Sequence, residues 1–191
     1  MTSMWSFSQR HDNQIRRKVF ISYHHTDQDE VEEFIDTFDH ERDVFIYRAL
    51  GLGMADDIIN SLNADYVMRR IREDFLKNST VTVVLIGKCT WARRYIDWEV
   101  QASLRLGENV KPNGLLGIVL PSAVNKPICP GRLSFNIQGK NGDEGYARWY
   151  SYPFRKDTLR NYIEDAFNAR TNRRNLIVNP RPKFAYNKQC S

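Results

Sequence analysis

The stretch STVTVVLIG at residues 79–87 is the strongest strand signal in this chain. Its β-branched and apolar residues run without the polar alternation of a half-exposed strand, and Ser79 and Gly87 bound the run. A strand that is apolar on both faces belongs in the middle of a parallel sheet that is covered by helices. We therefore expect residues 79–87 to form a central strand.

Short apolar runs on either side of that strand alternate with helical patterns. Apolar residues spaced three and four apart predict helices over residues 26–38, 64–76 and 90–104, and a last helix that starts near Asp157. Because each helix returns the chain to a parallel strand, the pattern predicts an α/β flavodoxin-like three-layer sandwich, with a mostly parallel five-stranded sheet in the order 2-1-3-4-5. The other predicted strands are residues 19–21, 43–49, 114–121 and 146–152.

Single residues predict further details of the organisation. Thr26 and Asp29 have the spacing of a capping box, which predicts the start of the first helix. Residues 121–145 are rich in proline and glycine and are predicted as a loop. The chain divides into an N-terminal tail at 1–17, a single domain at 18–170 and a basic C-terminal tail at 171–191.

The net charge of +5 comes from the two ends of the chain. Residues 19–169 carry 18 Lys or Arg and 22 Asp or Glu, so the body of the chain is acidic. Basic tails are more often solvated ends than nucleic-acid sites, and we expect no specific nucleic-acid binding. The sequence has no apolar run long enough to span a bilayer and no N-terminal hydrophobic signal region. This predicts a cytoplasmic protein that does not bind membranes.

The spacing of cysteine and histidine argues against a disulfide framework or a metal site. Cys89, Cys129 and Cys190 are far apart and include no C-x-x-C pair, so we expect buried or incidental thiols. His24 and His25 are adjacent, but no acidic residue or cysteine lies at a matching short spacing. We therefore predict that no metal is bound.

Glu99 lies within the third predicted helix, in the stretch TWARRYIDWEVQASL at 90–104, between a tryptophan and a valine. Helical projection places it at the edge of the apolar stripe rather than on the solvated face. In an open parallel sheet, ligands bind beyond the carboxyl ends of the strands where the strand order reverses, here between strands 1 and 3. Glu99 should face that crevice, although the helix dipole or pairing with Arg93 or Arg94 would also account for a glutamate there.

Other side chains are predicted to share this crevice with Glu99. The first strand ends in Ser22, Tyr23 and His24. The central strand leads through Trp91 into the helix that carries Tyr95. We predict these five as substrate-binding residues, because the carboxyl ends of neighbouring parallel strands meet at one edge of the sheet.

Four stretches of the chain resemble the Toll/interleukin-1 receptor (TIR) domains. The resemblance covers residues 18–170, and the chain is most similar to the TIR proteins of bacterial Thoeris anti-phage defence. The stretches are KVFISYHHTDQD at 18–29, MRRIREDFLKNSTVTVVLIGKCTW at 68–91, YIDWEV at 95–100, and YARWYSYPFRKDTLRNYIEDAF at 146–167.

This resemblance implies specific roles for several residues. The catalytic glutamate of the family follows an aromatic residue by four positions, as Glu99 follows Tyr95. The family's basic residue after the first-strand tyrosine corresponds to His24. The loop at 49–57 corresponds to a mobile loop that lies over the site and contacts a neighbouring subunit. Tyr47, just before that loop, joins the predicted substrate-binding residues.

The resemblance also implies an activity, with NAD as the substrate and no cofactor. Such enzymes cleave the bond between nicotinamide and ribose, and Thoeris proteins are expected to form a cyclic ADP-ribose-type signal that activates a separate effector. Self-association through TIR contacts and a phage-derived trigger are further expectations. The alternative is a non-catalytic TIR module that acts as a scaffold through homotypic assembly. A receiver-like nucleotide-binding protein is disfavoured, because no acidic cluster follows the first strand.

Overall fold

The computed structural model describes residues 15–40, 44–49, 64–107, 110–139 and 142–190. Within them, five parallel strands form one sheet in the order β2-β1-β3-β4-β5. The predicted flavodoxin-like α/β fold and its strand order are therefore confirmed. The predicted mobile loop lies outside the described residues, apart from Ala49 at the end of β2. The strands are β1 Arg17–Ser22, β2 Phe45–Ala49, β3 Val81–Ile86, β4 Gly114–Val119 and β5 Arg148–Tyr150.

Helices cover the sheet at the places where apolar periodicity predicts them. π-helical turns extend the first helix through Asp36–His40 and the second through Ile71–Leu76. No helix in the described ranges combines the length and the apolar character needed to cross a membrane. The helices are α1 Gln28–Ile35, α2 Ala64–Arg70, α3 Arg94–Ser103, α4 Gly131–Ser134 and α5 Lys156–Asn172.

Two local predictions are wrong. Residues 121–145 are not loop throughout, because they contain α4 and a 3-10 turn at Pro121–Ala123. Leu133 on α4 is fully buried in the core, which explains why this segment folds onto the domain. The predicted capping box is also absent: a 3-10 turn precedes α1, and Thr26 instead lies with its Oγ1 at 2.5 Å from His24 Nδ1.

The core has two layers, one on each face of the sheet. All residues of β3 and β4 are buried, as the continuous apolar runs predict. Successive side chains of a strand point to opposite faces. Val83 accordingly packs in the layer that contains Leu159 of α5, whereas Val84 packs in the layer that contains Ile96 of α3. The sheet thus buries apolar surface against helices on both sides.

A buried polar network fixes the carboxyl-terminal end of α3 to the sheet. The Ser103 hydroxyl donates to the Glu99 carbonyl at 2.8 Å and shares a 2.7 Å hydrogen bond with the Thr82 hydroxyl on β3. Asn113 donates to Thr82 and also to Ser79, at 3.2 and 2.7 Å. Because these groups satisfy one another in the interior, they set the position of α3 against β3.

The close approach of α5 to β4 generates the first prediction. A Cβ at Gly114 would overlap the Ala166 carbonyl of α5, which is main chain and cannot rotate away. We expect Gly114→Ala to lower the free energy of unfolding by about 1–3 kcal/mol, as measured by urea denaturation. Gly107→Ala is the control, because its Cβ would meet Val110 at an ordinary 3.4 Å. Equal effects of the two substitutions would contradict this account of the packing.

Candidate active site

Glu99 and Ser22 meet at the centre of the predicted crevice. Glu99 lies on α3 and is 3% exposed, and Ser22 ends β1 and is 1% exposed. The Ser22 hydroxyl donates a hydrogen bond of 2.5 Å to Glu99 Oε2. The carboxyl group is therefore buried more deeply than its place at the edge of the helical stripe suggests.

Glu99 is buried and forms no ion pair with any described residue. Burial raises its pKa from 4.5 to about 8, while the hydrogen bond from Ser22 acts in the opposite direction. Pairing with Arg94, one of the alternative explanations, is not observed. The Arg94 guanidinium stacks on the Tyr95 ring, with Cζ 4.8 Å from its centroid, and donates to the Tyr95 hydroxyl at 2.8 Å. A carboxyl group held in this way can respond strongly to a cation brought into the site.

Tyr23 lies near Glu99 and near Tyr47 of β2. Its hydroxyl donates to Gln28 Oε1 at 2.6 Å. Burial is the main cause that raises the Tyr23 pKa, and the charges of Glu99 and Tyr47 raise it further. Tyr47 is 38% exposed, so its ring is accessible from outside. Tyr23 thus lies within electrostatic reach of both Glu99 and Tyr47.

His24 is uncharged at neutral pH. It is 6% exposed, and its ring centroid lies 4.4 Å from that of His25. Burial is the main cause that lowers the pKa of His24 to about 4, and the charges of Arg93 and His25 contribute to this shift. A neutral imidazole can donate or accept a hydrogen bond, but it offers no positive charge to an anionic group. His24 therefore does not replace the basic residue that the TIR resemblance places there.

Arg93 is the side chain near this site that sequence reasoning did not assign to it. Its charge acts on His24, and it immediately precedes the first turn of α3. Arg93 Nε is buried and has no hydrogen-bond partner in the described part of the chain. The sequence shows two adjacent arginines at the start of the helix. From it, Arg93 was considered only as an ion-pair partner for Glu99. The sequence could not show that Arg93 acts on His24 whereas Arg94 contacts Tyr95.

The two remaining predicted residues, Trp91 and Tyr95, contact other parts of the domain. Tyr95 packs edge-on against Trp98, with ring centroids 5.5 Å apart, and is partly exposed. Trp91 lies in the 3-10 turn before α3, with Lys188 Nζ 5.9 Å from its ring centroid. Tyr95 is thus one helical turn from Glu99, whereas Trp91 faces the C-terminal end of the chain.

Residues near the C-terminal end make hydrogen bonds to α3, and residues 185–189 are exposed. We call residues 178–190 the C-terminal strap. Its Phe184 carbonyl accepts a hydrogen bond from Trp98 Nε1 at 2.9 Å. Cys190 forms a disulfide with Cys89, which follows β3. The prediction of unpaired thiols is therefore wrong for Cys89 and Cys190, whereas Cys129 is unpaired in the described structure. Only the return of the chain across α3 brings these two cysteines together, 101 residues apart in sequence.

A buried ion pair anchors the C-terminal strap. Arg132 of α4 donates to both carboxylate oxygens of Asp97 at 3.0 Å, and the two side chains are 1% and 4% exposed. The same guanidinium donates to the main-chain carbonyls of Arg181 and Pro182 at 3.0 and 3.2 Å. Arg132 thus joins α3, α4 and the strap through one fully buried charge.

A separate cavity of about 390 Å³ opens beside the carboxyl ends of β1, β3 and β4. None of the seven predicted site residues lines it. Glu30 lines this cavity, and its carboxylate accepts hydrogen bonds from the Ser122 amide and hydroxyl at 2.9 and 2.6 Å. The cavity is lined by Thr26, Asp27, Asp29, Glu30, Lys88, Cys89 and Ser122.

The chain matches the model of a known protein family. The model of the Thoeris protein ThsB, TIR-like domain, matches residues 20–125. The matched segment runs from β1 past β4 and contains both Ser22 and Glu99. No curated protein gives a significant match to the chain.

The raised pKa of Glu99 predicts how stability depends on pH. Below about pH 4.5 the folded and unfolded states both hold the proton, whereas between there and pH 8 only the folded state retains it. Glu99 therefore lowers the free energy of unfolding progressively as the pH rises. We expect Glu99→Gln to become more stable relative to the parent by up to about 1 kcal/mol per pH unit across this window, measured by urea denaturation. A difference that does not change with pH would contradict the buried, protonated carboxyl group.

Proposed function

This chain belongs to the TIR-like domain family of Thoeris protein ThsB, and from that premise we propose that it is an enzyme that cleaves the bond between nicotinamide and ribose in NAD. Membership makes it a defence-related TIR module. The proposal rests on one observation above all, the buried carboxyl group of Glu99, which accepts a hydrogen bond from Ser22 and has no ion-pair partner among the described residues. A module that served only as a scaffold would have no use for this group.

The chemistry of NAD explains how one carboxylate can be sufficient. A glycosidase usually needs an acid to protonate its leaving group and a second carboxylate at the anomeric carbon. Nicotinamide leaves NAD from a cationic pyridinium and departs neutral, so it needs no acid. The remaining task is to stabilise the positive charge that develops on the ribose. A carboxylate in a site of low polarity does this more strongly than one in water.

Substrate binding would itself ionise Glu99. In the free protein its pKa is about 8, so the carboxyl group is mostly protonated at neutral pH. A cationic nicotinamide ring close to the carboxyl group favours its charged form and lowers this pKa. The Ser22 hydroxyl then stabilises the carboxylate by its hydrogen bond. The site would thus carry its negative charge chiefly when the substrate is bound.

The product depends on which nucleophile reaches the ribosyl cation. Attack by water gives linear ADP-ribose, whereas attack by a hydroxyl or ring nitrogen of the same molecule gives a cyclic product. We propose the cyclic outcome, in which a cyclic ADP-ribose-type product is the signal that activates a separate effector in anti-phage defence. The proposal also includes self-association and a phage-derived trigger. In the assembled form, a neighbouring subunit would order the loop at 49–57.

Arg93 is our candidate for the group that binds the pyrophosphate of NAD. Its charge reaches His24 at the end of β1, where the TIR resemblance expects a basic residue. His24 is neutral at physiological pH because its pKa is about 4. Arginine suits phosphate oxygens, because its planar guanidinium donates paired hydrogen bonds. Arg93 would then supply the charge and His24 a neutral hydrogen bond.

Incubation of the purified protein with NAD tests the catalytic proposal, with the nucleotide products resolved by chromatography and mass spectrometry. We expect the parent protein to release nicotinamide, and Glu99→Gln to release none above background, because the amide cannot oppose the developing positive charge. Circular dichroism checks that the variant is folded. A variant that retains the parental rate would exclude a catalytic role for Glu99. A parent that is inactive even at high concentration and with extract of infected cells would favour the scaffold alternative.

Substitution of Arg93 tests the phosphate-binding assignment. We expect Arg93→Ala to raise KM for NAD by about tenfold or more, through loss of charge-assisted hydrogen bonds, with a smaller change in kcat. Arg105→Ala is the control, since it removes the same charge just beyond the other end of α3. Steady-state kinetics at constant ionic strength measures both variants. Equal KM values for Arg93→Ala and the parent would remove Arg93 from the site.

A further inference from the structure

The amino-terminal end of α3 takes its cap from a distant part of the chain. The first amides of a helix have no acceptor within the helix and need one from outside. Arg93 occupies the N-cap position and makes no capping hydrogen bond with its side chain. The amide of Arg94 donates instead to Asn187 Oδ1 of the C-terminal strap, at 3.0 Å. Asn187 thus acts as a helix cap from 93 residues away.

The C-terminal strap also forms hydrogen bonds with Asp97 and Trp98 of α3. The Phe184 amide donates to Asp97 Oδ2 at 3.1 Å, and the Phe184 carbonyl accepts from Trp98 Nε1 at 2.9 Å. The main-chain amide and the main-chain carbonyl of Phe184 therefore both form hydrogen bonds with side chains of α3. The amide of Lys188 donates to the Ala92 carbonyl at 2.8 Å, just before the helix begins.

A disulfide bond links the last residue of the C-terminal strap to the segment before α3. Cys190 follows Asn187 by three residues and pairs with Cys89, which lies between β3 and α3. The two Cα atoms are 5.7 Å apart, an ordinary separation for a disulfide. Both cysteines are therefore positioned to join the strap to the segment that leads into α3. Cys129, partly buried elsewhere in the domain, has no such partner in the described structure.

We propose that the C-terminal strap is an external cap that positions α3, and with it Glu99, and that Cys89 and Cys190 form a reversible thiol–disulfide latch on this cap. The catalytic consequence rests on the proposed function of Glu99, whereas the capping and the latch do not. Closing the latch transfers two electrons from the two thiols to a peroxide or a small-molecule disulfide, and their two protons are released or taken up by the reduced oxidant. Thiol–disulfide exchange with a dithiol reverses the step.

The position of Glu99 makes it sensitive to this cap. Its carboxyl group has Ser22 as its hydrogen-bond donor, so α3 must hold it within reach of that hydroxyl. The far end of α3 is fixed by the Ser103 network. Loss of the cap would therefore destabilise the first turn, which carries Tyr95 and ends two residues before Glu99. We expect release of the strap to fray that turn and to slow NAD cleavage.

Hydrogen exchange measured by mass spectrometry on the full chain tests the latch. We compare protein oxidised with glutathione disulfide, protein reduced with dithiothreitol, and Cys190→Ser. Reduction and the substitution should each speed exchange in residues 184–190 and 94–97 by roughly tenfold, with β3 unchanged. Cys129→Ser should behave as the parent in both redox states. Alkylation followed by peptide mapping should find Cys89 joined to Cys190 only in the oxidised sample.

Asn187 provides an independent test of capping. Asn187→Ala should speed exchange in the first turn of α3 by roughly two- to thirtyfold, the range expected for loss of a helix cap. Asn187→Asp should restore protection, because it keeps the accepting oxygen and adds a charge that favours a helix amino terminus. Gln189→Ala is a matched control within the strap. If the enzyme cleaves NAD, kcat should fall in Asn187→Ala and recover in Asn187→Asp.

Several results would overturn this inference. Free Cys89 and Cys190 after oxidation would exclude the latch. Equal exchange of α3 in Asn187→Ala and the parent would exclude the cap. Altered exchange with unchanged NAD turnover would separate the strap from catalysis and overturn the positioning role. A parent protein that never cleaves NAD would refute the proposed function, while the exchange and alkylation results would still decide on the cap and the latch.

Discussion

The hydrogen bond between Ser22 and Glu99 joins the end of β1 to the middle of α3 inside the protein. A carboxyl group in this position loses most of its hydration, which raises its pKa to about 8 although the hydrogen bond from Ser22 acts to lower it. The arrangement holds only if strand and helix keep their relative position. The surrounding packing therefore serves to fix α3 against the sheet.

Different interactions hold the two ends of α3. At its carboxyl-terminal end, Ser103 and Thr82 belong to a buried network of neutral hydrogen bonds. At its amino-terminal end, Asp97 pairs with Arg132, which also binds the carbonyls of the C-terminal strap. Removing one partner of such a buried pair typically costs about 3–5 kcal/mol, because a charge is left without compensation. The strap is thus part of the structural unit that carries Glu99.

The positions of some candidate-site residues were predictable because they follow from the sheet alone. Ser22 ends a strand next to β3, and Glu99 lies on the helix that follows β3, so parallel topology brings the two together. His24 was placed correctly at the strand end, but its neutral state depends on burial and on the charge of Arg93. Apolar periodicity carries no information about such distant neighbours, and Arg93 was missed for the same reason.

The sequence by itself determined the alternation of parallel strands with helices, the two buried faces of the sheet and the helix on which Glu99 lies. These features follow from continuous apolar runs and helical spacing, which are local patterns. Only the tertiary structure decided that Cys89 meets Cys190, that Asn187 caps α3 and that Arg132 is buried against Asp97. These contacts join residues 35 to 101 positions apart, and they form because the unpaired amides and the buried charge of α3 must find partners wherever the folded chain brings them.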